Sequence, residues 1–258
     1  MFVLPVLDLL SGAVVRGVAG ERGNYRPVES MLCGDARPAT VARAFADLGF
    51  REAYVADLDA IAGSEPAWDI YRELLDCGLS LWVDAGAGDA RRAESLASFG
   101  QGAESLSRIV VGLESLAGRG DLHSVLGVLG PRRAVFSLDL KRGRPLSDSP
   151  DWRDAQPFDI AEDAVAAGVE AVIVLDLAQV GVGRGPATLD LCGRLRQRFP
   201  RLELIGGGGV RNADDLRFLA DAGCDAALVA SALHDGRLSA TDVAGCPAPQ
   251  DRSRRQNR

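Results

Sequence analysis

Short apolar runs recur along the chain, and several of them end on an aspartate or a glycine cluster. The chain opens with Val3-Leu4-Pro5-Val6-Leu7-Asp8-Leu9, and its middle repeats the motif as Val135-Phe136-Ser137-Leu138-Asp139-Leu140-Lys141. A continuous apolar run of this kind, bounded by loop residues, predicts a strand buried on both faces of a parallel sheet. The echo continues downstream. Glu52-Ala53-Tyr54-Val55-Ala56-Asp57 is matched by Glu170-Ala171-Val172-Ile173-Val174-Leu175-Asp176. Leu81-Trp82-Val83, before Asp84-Ala85-Gly86, is matched by Leu204-Ile205, before Gly206-Gly207-Gly208-Gly209. Ile109-Val110-Val111-Gly112 is matched by Ala227-Leu228-Val229-Ala230. Corresponding strands in the same order, offset by roughly half the chain, mean two copies of one half-barrel. Two halves make eight βα units, a single (β/α)8 TIM barrel of the α/β class, with halves over about 1–131 and 132–244.

The pattern places strands over 2–8, 52–57, 79–83, 108–111, 134–139, 170–176, 202–205 and 226–229. Helices are predicted over 39–48, 66–77, 90–99, 121–129, 158–167, 187–199 and 212–222, with a last one after Ser231. Thr40 is a candidate cap for the first, and Pro66 suits a helix start. An unusually long connection, residues 9–38, leaves the carboxyl end of the first strand. Long loops in compact domains are usually functional or disordered. This one reads as a mobile lid over an active site, with a solvated surface loop as the alternative. Residues 245–258 have no apolar periodicity and read as a disordered tail.

A length of 258 residues fits one barrel with little left for a second domain, and 47% apolar residues supply its core. The net charge of −7 argues against general nucleic-acid binding. No apolar run approaches membrane-spanning length, and the start lacks the basic and hydrophobic regions of a signal peptide. Cys33, Cys77, Cys192, Cys224 and Cys246 are odd in number, scattered and never spaced CxxC. They read as small buried apolar groups in a reducing cytosol.

Candidate chemistry collects at the predicted carboxyl ends. Strands one and five of a two-half barrel lie opposite each other, so Asp8 and Asp139 face one another across its mouth. The pair suits a general base and a general acid, provided their environments separate their proton affinities. Asp57 and Asp176 form a second symmetric pair, read first as loop-positioning and second as substrate contacts. Gly207, Gly208 and Gly209 open a helix after strand seven, where backbone N–H groups form an anion site. Ala230 and Ser231 close that phosphate site from strand eight. In the first half, Asp84 stands where glycines are expected, and Glu114 lies just beyond Gly112. Two carboxylates repel a phosphate dianion, so a cationic or amine-bearing substrate end suits that side. Lys141 is the only lysine among 29 lysines and arginines. It is a candidate for imine formation, against survival by chance. Trp152 is placed to stack on a planar substrate or to anchor its loop. His123 and His234 fall on predicted surfaces without metal-ligand partners, so no metal site or cofactor is expected.

With these residues in place, the chain resembles the HisA/HisF family of histidine-biosynthesis barrels over essentially positions 2 to 240. The likeness rests on Leu7-Asp8-Leu9 with Gly12-Ala13-Val14-Val15-Arg16, Asp57-Leu58-Asp59-Ala60, Ser137-Leu138-Asp139, Gly208-Gly209-Val210 and Ala232-Leu233-His234-Asp235-Gly236. The isomerase branch looks nearer, because Trp152 lies where that branch usually has a loop tryptophan. The resemblance implies an aminoaldose-to-aminoketose (Amadori) rearrangement, with Asp8 as base and Asp139 as acid. Two segments depart from the pattern. Gln179-Val180-Gly181-Val182 stands for an Arg-Asp-Gly-Thr-like segment, and Asp84-Ala85-Gly86-Ala87-Gly88 for a Gly-Gly-Gly-Ile-Arg phosphate motif. The histidine-pathway substrate carries two phosphates, and this chain looks equipped for one. The 17–27 loop and Asp57-Leu58-Asp59-Ala60-Ile61 look like the "HisA/HisF-related" subgroup of methanogens and of bacteria with tetrahydromethanopterin one-carbon chemistry. The resemblance thus implies an isomerase or lyase acting on a phosphorylated sugar-type small molecule, possible within that metabolism. Authentic phosphoribosylformimino isomerase activity and a non-catalytic phosphometabolite-binding barrel are the alternatives.

Overall fold

A computed structural model describes residues 1–244; the tail expected over 245–258, with Cys246, lies outside the described residues. The strands, in chain order, are β1 (Phe2–Leu10), β2 (Ala13–Arg16), β3 (Arg26–Pro27), β4 (Glu52–Asp57), β5 (Ser80–Asp84), β6 (Arg108–Gly112), β7 (Ala134–Lys141), β8 (Arg144–Pro145), β9 (Ala171–Asp176), β10 (Glu203–Gly207) and β11 (Ala226–Val229). Eight of them pair in parallel in the order β11-β10-β9-β7-β6-β5-β4-β1, and β11 pairs with β1 to close the ring. This is the (β/α)8 barrel that the apolar runs predict.

Alternation along each strand divides the core in two. Phe2, Leu4 and Val6 of β1 join Tyr54, Trp82, Val110, Val135, Ile173, Ile205 and Leu228 in the cluster that fills the lumen. Val3, Leu7 and Leu9 face outward, into the larger cluster beneath the helices. At the amino-terminal end of the lumen, Trp82 Nε1 donates to Glu52 (2.8 Å) and Arg108 pairs with Glu203 (2.8 Å) while lying 4.3 Å from the Trp82 ring centre. That plug seals the floor and leaves the carboxyl end open for chemistry.

The helices are α1 (Pro38–Asp47), α2 (Leu58–Ile61), α3 (Trp68–Asp76), α4 (Ala90–Ala97), α5 (Arg119–Leu129), α6 (Pro157–Ala166), α7 (Leu189–Arg198), α8 (Ala213–Asp221), α9 (Ser231–His234) and α10 (Ala240–Ala244). Two expected helix starts are corrected. Thr40 does not cap α1, because Pro38 opens that helix and Arg37 precedes it in extended conformation. Pro66 shapes the turn before α3, accepting a hydrogen bond from Trp68 N–H (2.8 Å). Side-chain caps stand instead at Asp89, which accepts from Arg92 N–H (2.7 Å), and at Asn212, which accepts from Asp215 N–H (3.1 Å).

The long first connection is ordered into a hairpin. β2 folds back antiparallel on β1 through Ser11-Gly12, with φ of 50° and 79°, and β3 pairs with β2. The same device recurs opposite: β8 folds back on β7 through Arg142-Gly143, with φ of 55° and 74°. Two consecutive left-handed residues suit the twist of a two-residue hairpin. The hairpins carry their strands past the barrel rim, and residues beyond them turn back over the mouth.

Candidate active site

A cavity of about 340 Å³ occupies the carboxyl end of the barrel. Strand parity decides which aspartates reach it. Asp8 continues the inward series Phe2, Leu4, Val6; Asp84 follows Trp82; Asp139 follows Val135 and Ser137. Asp57 and Asp176 sit one residue out of phase and point away from the lumen. Asp57 accepts from the Ala60 and Ala67 amides (3.1 and 2.9 Å) and the Tyr71 hydroxyl (2.6 Å). Asp176 accepts from the amides of Arg142 (3.0 Å), Gly143 (2.8 Å) and Ala178 (2.9 Å). Both spend their oxygens on holding loops, which leaves them loop-positioning groups outside the cavity lining.

The three inward carboxyls have different surroundings. Asp8 is half-buried against the cavity, and desolvation pushes its carboxyl up to about 7. A methyl group on Gly17 would come within 3.0 Å of Asp8 Oδ2 and 3.7 Å of the Tyr25 hydroxyl, so the first loop lies directly over this aspartate. Asp139 is buried and accepts from Ser137 Oγ (2.7 Å) and the Leu113 amide (3.2 Å). Burial first, and then the charges of Asp84 and Glu114, hold its carboxyl well above the usual range despite those donors. Asp84 accepts from Tyr54 Oη (3.3 Å) and the Gly86 amide (3.3 Å), and burial pushes it up to about 7. Glu114 stands at the rim and is bridged by Arg22 from the first loop (3.0 Å).

The four consecutive glycines serve separate purposes. A side chain on Gly206 would strike Leu219 at 2.5 Å, which makes it a helix-packing glycine. Gly207 ends β10 facing inward, where a side chain would meet Leu228 at 3.0 Å. Gly208 and Gly209 take φ of 84° and 87° and line the cavity with Ala230 and Ser231. A Cβ on Gly209 would lie 2.7 Å from the Gly185 carbonyl oxygen, so this loop is seated on the 177–185 segment. Arg237 lines the cavity too and pairs with Asp235 (2.8 Å), which also receives both Nη atoms of Arg16 (2.7 and 2.8 Å).

Lys141 continues the inward series of β7 two residues past Asp139 and lines the cavity. Trp152 does not stack on anything in the cavity. It is fully buried and donates to Asp163 (3.2 Å), an anchor for its loop. His234 is not at the surface as expected: α9 packs inward, and its ring lies under Phe45 with Nδ1 2.9 Å from Ser30 Oγ. Burial lowers its proton affinity to about 4. Sequence reasoning missed Arg22, Tyr25, Tyr54 and Arg237. Tyr54 was legible by counting from inward Ala56; the others sit on loops, where no period tells which side chain turns inward.

Among the described residues, no helix is long and apolar enough to cross a membrane. Comparison with known proteins finds a match over residues 2–239 to the family model described as histidine biosynthesis protein. An uncharacterized protein of Methanocaldococcus jannaschii is 29% identical, over 94% of this chain and 97% of its own. The 1-(5-phosphoribosyl)-5-((5-phosphoribosylamino)methylideneamino) imidazole-4-carboxamide isomerase of Bacteroides thetaiotaomicron is 28% identical, over 93% of this chain and 97% of its own. The protein of the same name from Cenarchaeum symbiosum is also 28% identical, over 95% and 100%. With the closed barrel and its paired aspartates, the match over nearly the whole chain makes this protein a member of the histidine biosynthesis protein family.

Proposed function

We propose that the protein is an isomerase of a phosphorylated sugar-type small molecule, working by acid–base catalysis between Asp8 and Asp139. The observation that carries this reading is that both carboxyls lie in the inward series of symmetric strands and line one cavity, each with its proton affinity raised by burial. A base poised near neutrality beside an acid that keeps its proton is the division of labour that proton transfer needs. In an aminoaldose, Asp139 would protonate the ring oxygen, and the nitrogen lone pair would open the ring to an iminium ion. Asp8 would then take the proton from the adjacent carbon, and its C–H electron pair would neutralise the iminium to an enaminol. Tautomerisation of the enaminol gives the amino ketone.

The substrate's phosphate is assigned to Gly208, Gly209, Ala230 and Ser231, where two left-handed glycines bring backbone close to the cavity and Arg237 adds a cation. The opposite end carries Asp84, Tyr54 and Glu114, groups that favour a polar or amine-bearing substrate end over a second phosphate. The names of the relatives support a second reading, isomerisation of the doubly phosphorylated histidine precursor itself.

Solvent exchange tests both. The protein is incubated in D2O with that precursor and with singly phosphorylated aldoses and aminoaldoses, and deuterium is followed at the carbon next to the carbonyl or imine. The expected result is exchange into a singly phosphorylated compound that disappears in Asp8→Asn. Asp8-dependent exchange into the doubly phosphorylated precursor, with growth of an isomerase-deficient histidine auxotroph, would favour the second reading. Phosphate binding with no exchange into any of them would mean a non-catalytic binding barrel.

A further inference from the structure

Asp84 has no counterpart in the second half of the barrel, and its surroundings point to a function of its own. Its Oδ2 and that of Asp139 border the same small space: a methyl group on Gly112 would lie 3.5 Å from the first and 3.3 Å from the second. Gly112 is buried and the last inward residue of β6, the strand between those that carry the two aspartates, and both carboxyl oxygens lie beside the space its missing side chain leaves. No cation separates them among the described residues. Asp84 is held by Tyr54 Oη and the Gly86 amide, and Asp139 by Ser137 Oγ and the Leu113 amide. Both are 6% exposed.

We infer that Asp84 and Asp139 share one proton across Gly112, and that Asp84 is the positioning residue that keeps Asp139 in its acid form. Two carboxylates bordering one desolvated space do not both ionise, and their protons leave in two steps that belong to the pair. Both shifts run upward: burial raises Asp84 first and the charge of Glu114 adds to it, while burial raises Asp139 first and the charges of Asp84 and Glu114 add to that. The groups that face the pair from the packed elements are Asp8 on β1, Tyr54 on β4, Glu114 after β6, Lys141 on β7, and Arg22 from the first loop, whose guanidinium is already taken by Glu114. Tyr54 is the one that touches: its hydroxyl donates to the same Asp84 oxygen that borders Gly112. It leaves the shared proton on the Asp139 side.

The catalytic role of this proton rests on the acid–base reading above; the sharing itself does not, and it is measured without substrate. Protein labelled with 13C at the aspartate carboxyl carbon is titrated by NMR, with the two signals assigned from Asp84→Asn and Asp139→Asn. The wild type is expected to show two coupled steps, both above the ordinary aspartate range. In Asp84→Asn the Asp139 midpoint falls by about one unit or more, because a neighbouring charge has gone. In Tyr54→Phe, which keeps both carboxyls, the Asp84 midpoint rises, because a donor to its charged form has gone. An Asp139 midpoint unmoved in Asp84→Asn, or two independent titrations near the ordinary value, overturns the inference. If the asparagine variant does not fold, the wild-type and Tyr54→Phe titrations decide alone. A shared proton with no exchange activity would sink the isomerase reading and leave the pair intact.

Discussion

Asp84 and Gly207 occupy equivalent positions in the two halves of the barrel. Each is the last, inward-facing residue of a five-residue strand, and each stands the same distance ahead of a helix cap, Asp89 in one half and Asn212 in the other. Where one half keeps bare backbone packed against Leu228 and Leu175, the other projects a carboxyl. The symmetric scaffold is thereby made chemically one-sided, and under the proposed function this would orient a ligand with a phosphate at one end only.

The acid–base pair is tested by Asp8→Asn and Asp139→Asn. Each is expected to lower turnover by about 10²–10⁴-fold, the usual contribution of a positioned proton-transfer group, with unchanged circular dichroism. The wild-type rate is expected to rise as pH passes through about 7, where Asp8 loses its proton, and to fall at higher pH, where Asp139 loses its own. A flat profile across that range would remove Asp8 as the base.

Stability is expected to run against function at Asp84. Its folded proton affinity is raised from 3.8 to about 7, so the folded state binds the proton more tightly than the unfolded chain does. The resulting stability is fully present below pH 4 and is lost as pH rises through 7. Asp84→Asn should therefore match wild type near pH 4 and exceed it at pH 8 by more than about 1 kcal/mol. Urea unfolding at the two pH values measures this, and equal stability at pH 8 would contradict the buried charge.

Gly209→Ala should fail in two ways at once. Its φ of 87° disfavours any side chain, and the new methyl would press on the Gly185 carbonyl oxygen. A loss of about 1–3 kcal/mol is expected, together with weaker binding of inorganic phosphate. Calorimetry of both quantities checks it; unchanged phosphate affinity would move the phosphate away from this loop.

Trp152→Phe is expected to cost about 1–3 kcal/mol, from a lost buried volume and the lost hydrogen bond to Asp163, and to leave KM unaltered. A rise in KM without loss of stability would restore the stacking role.

Lys141 offers a clean control, because the chain has no second lysine. Under acid–base catalysis, borohydride added during turnover should leave no adduct on it by mass spectrometry. A trapped adduct, absent in Lys141→Arg, would move the chemistry to an imine route.

The barrel was legible in the chain because its strands are buried on both faces. Continuous runs such as those ending at Asp8 and Asp139 mark strands without help from alternation, and their duplication sets the order and number of βα units. Helix limits shifted by a residue or two where Pro38 and Trp68, not Thr40 and Pro66, set the first turn. The aspartates at strand ends were legible as a group, but their roles were not. Whether Asp57 or Asp84 enters the lumen depends on a phase of one residue, fixed by which neighbours lie in the inner cluster. The loops were least legible. Trp152 and His234 turned into the core, while Arg22, Tyr25 and Arg237 turned to the cavity, because loop side chains answer to whatever packs against them. The closeness of Asp84 to Asp139 was likewise decided only by folding. It arises between strands β5 and β7, across the one residue, Gly112, whose contribution is the absence of a side chain.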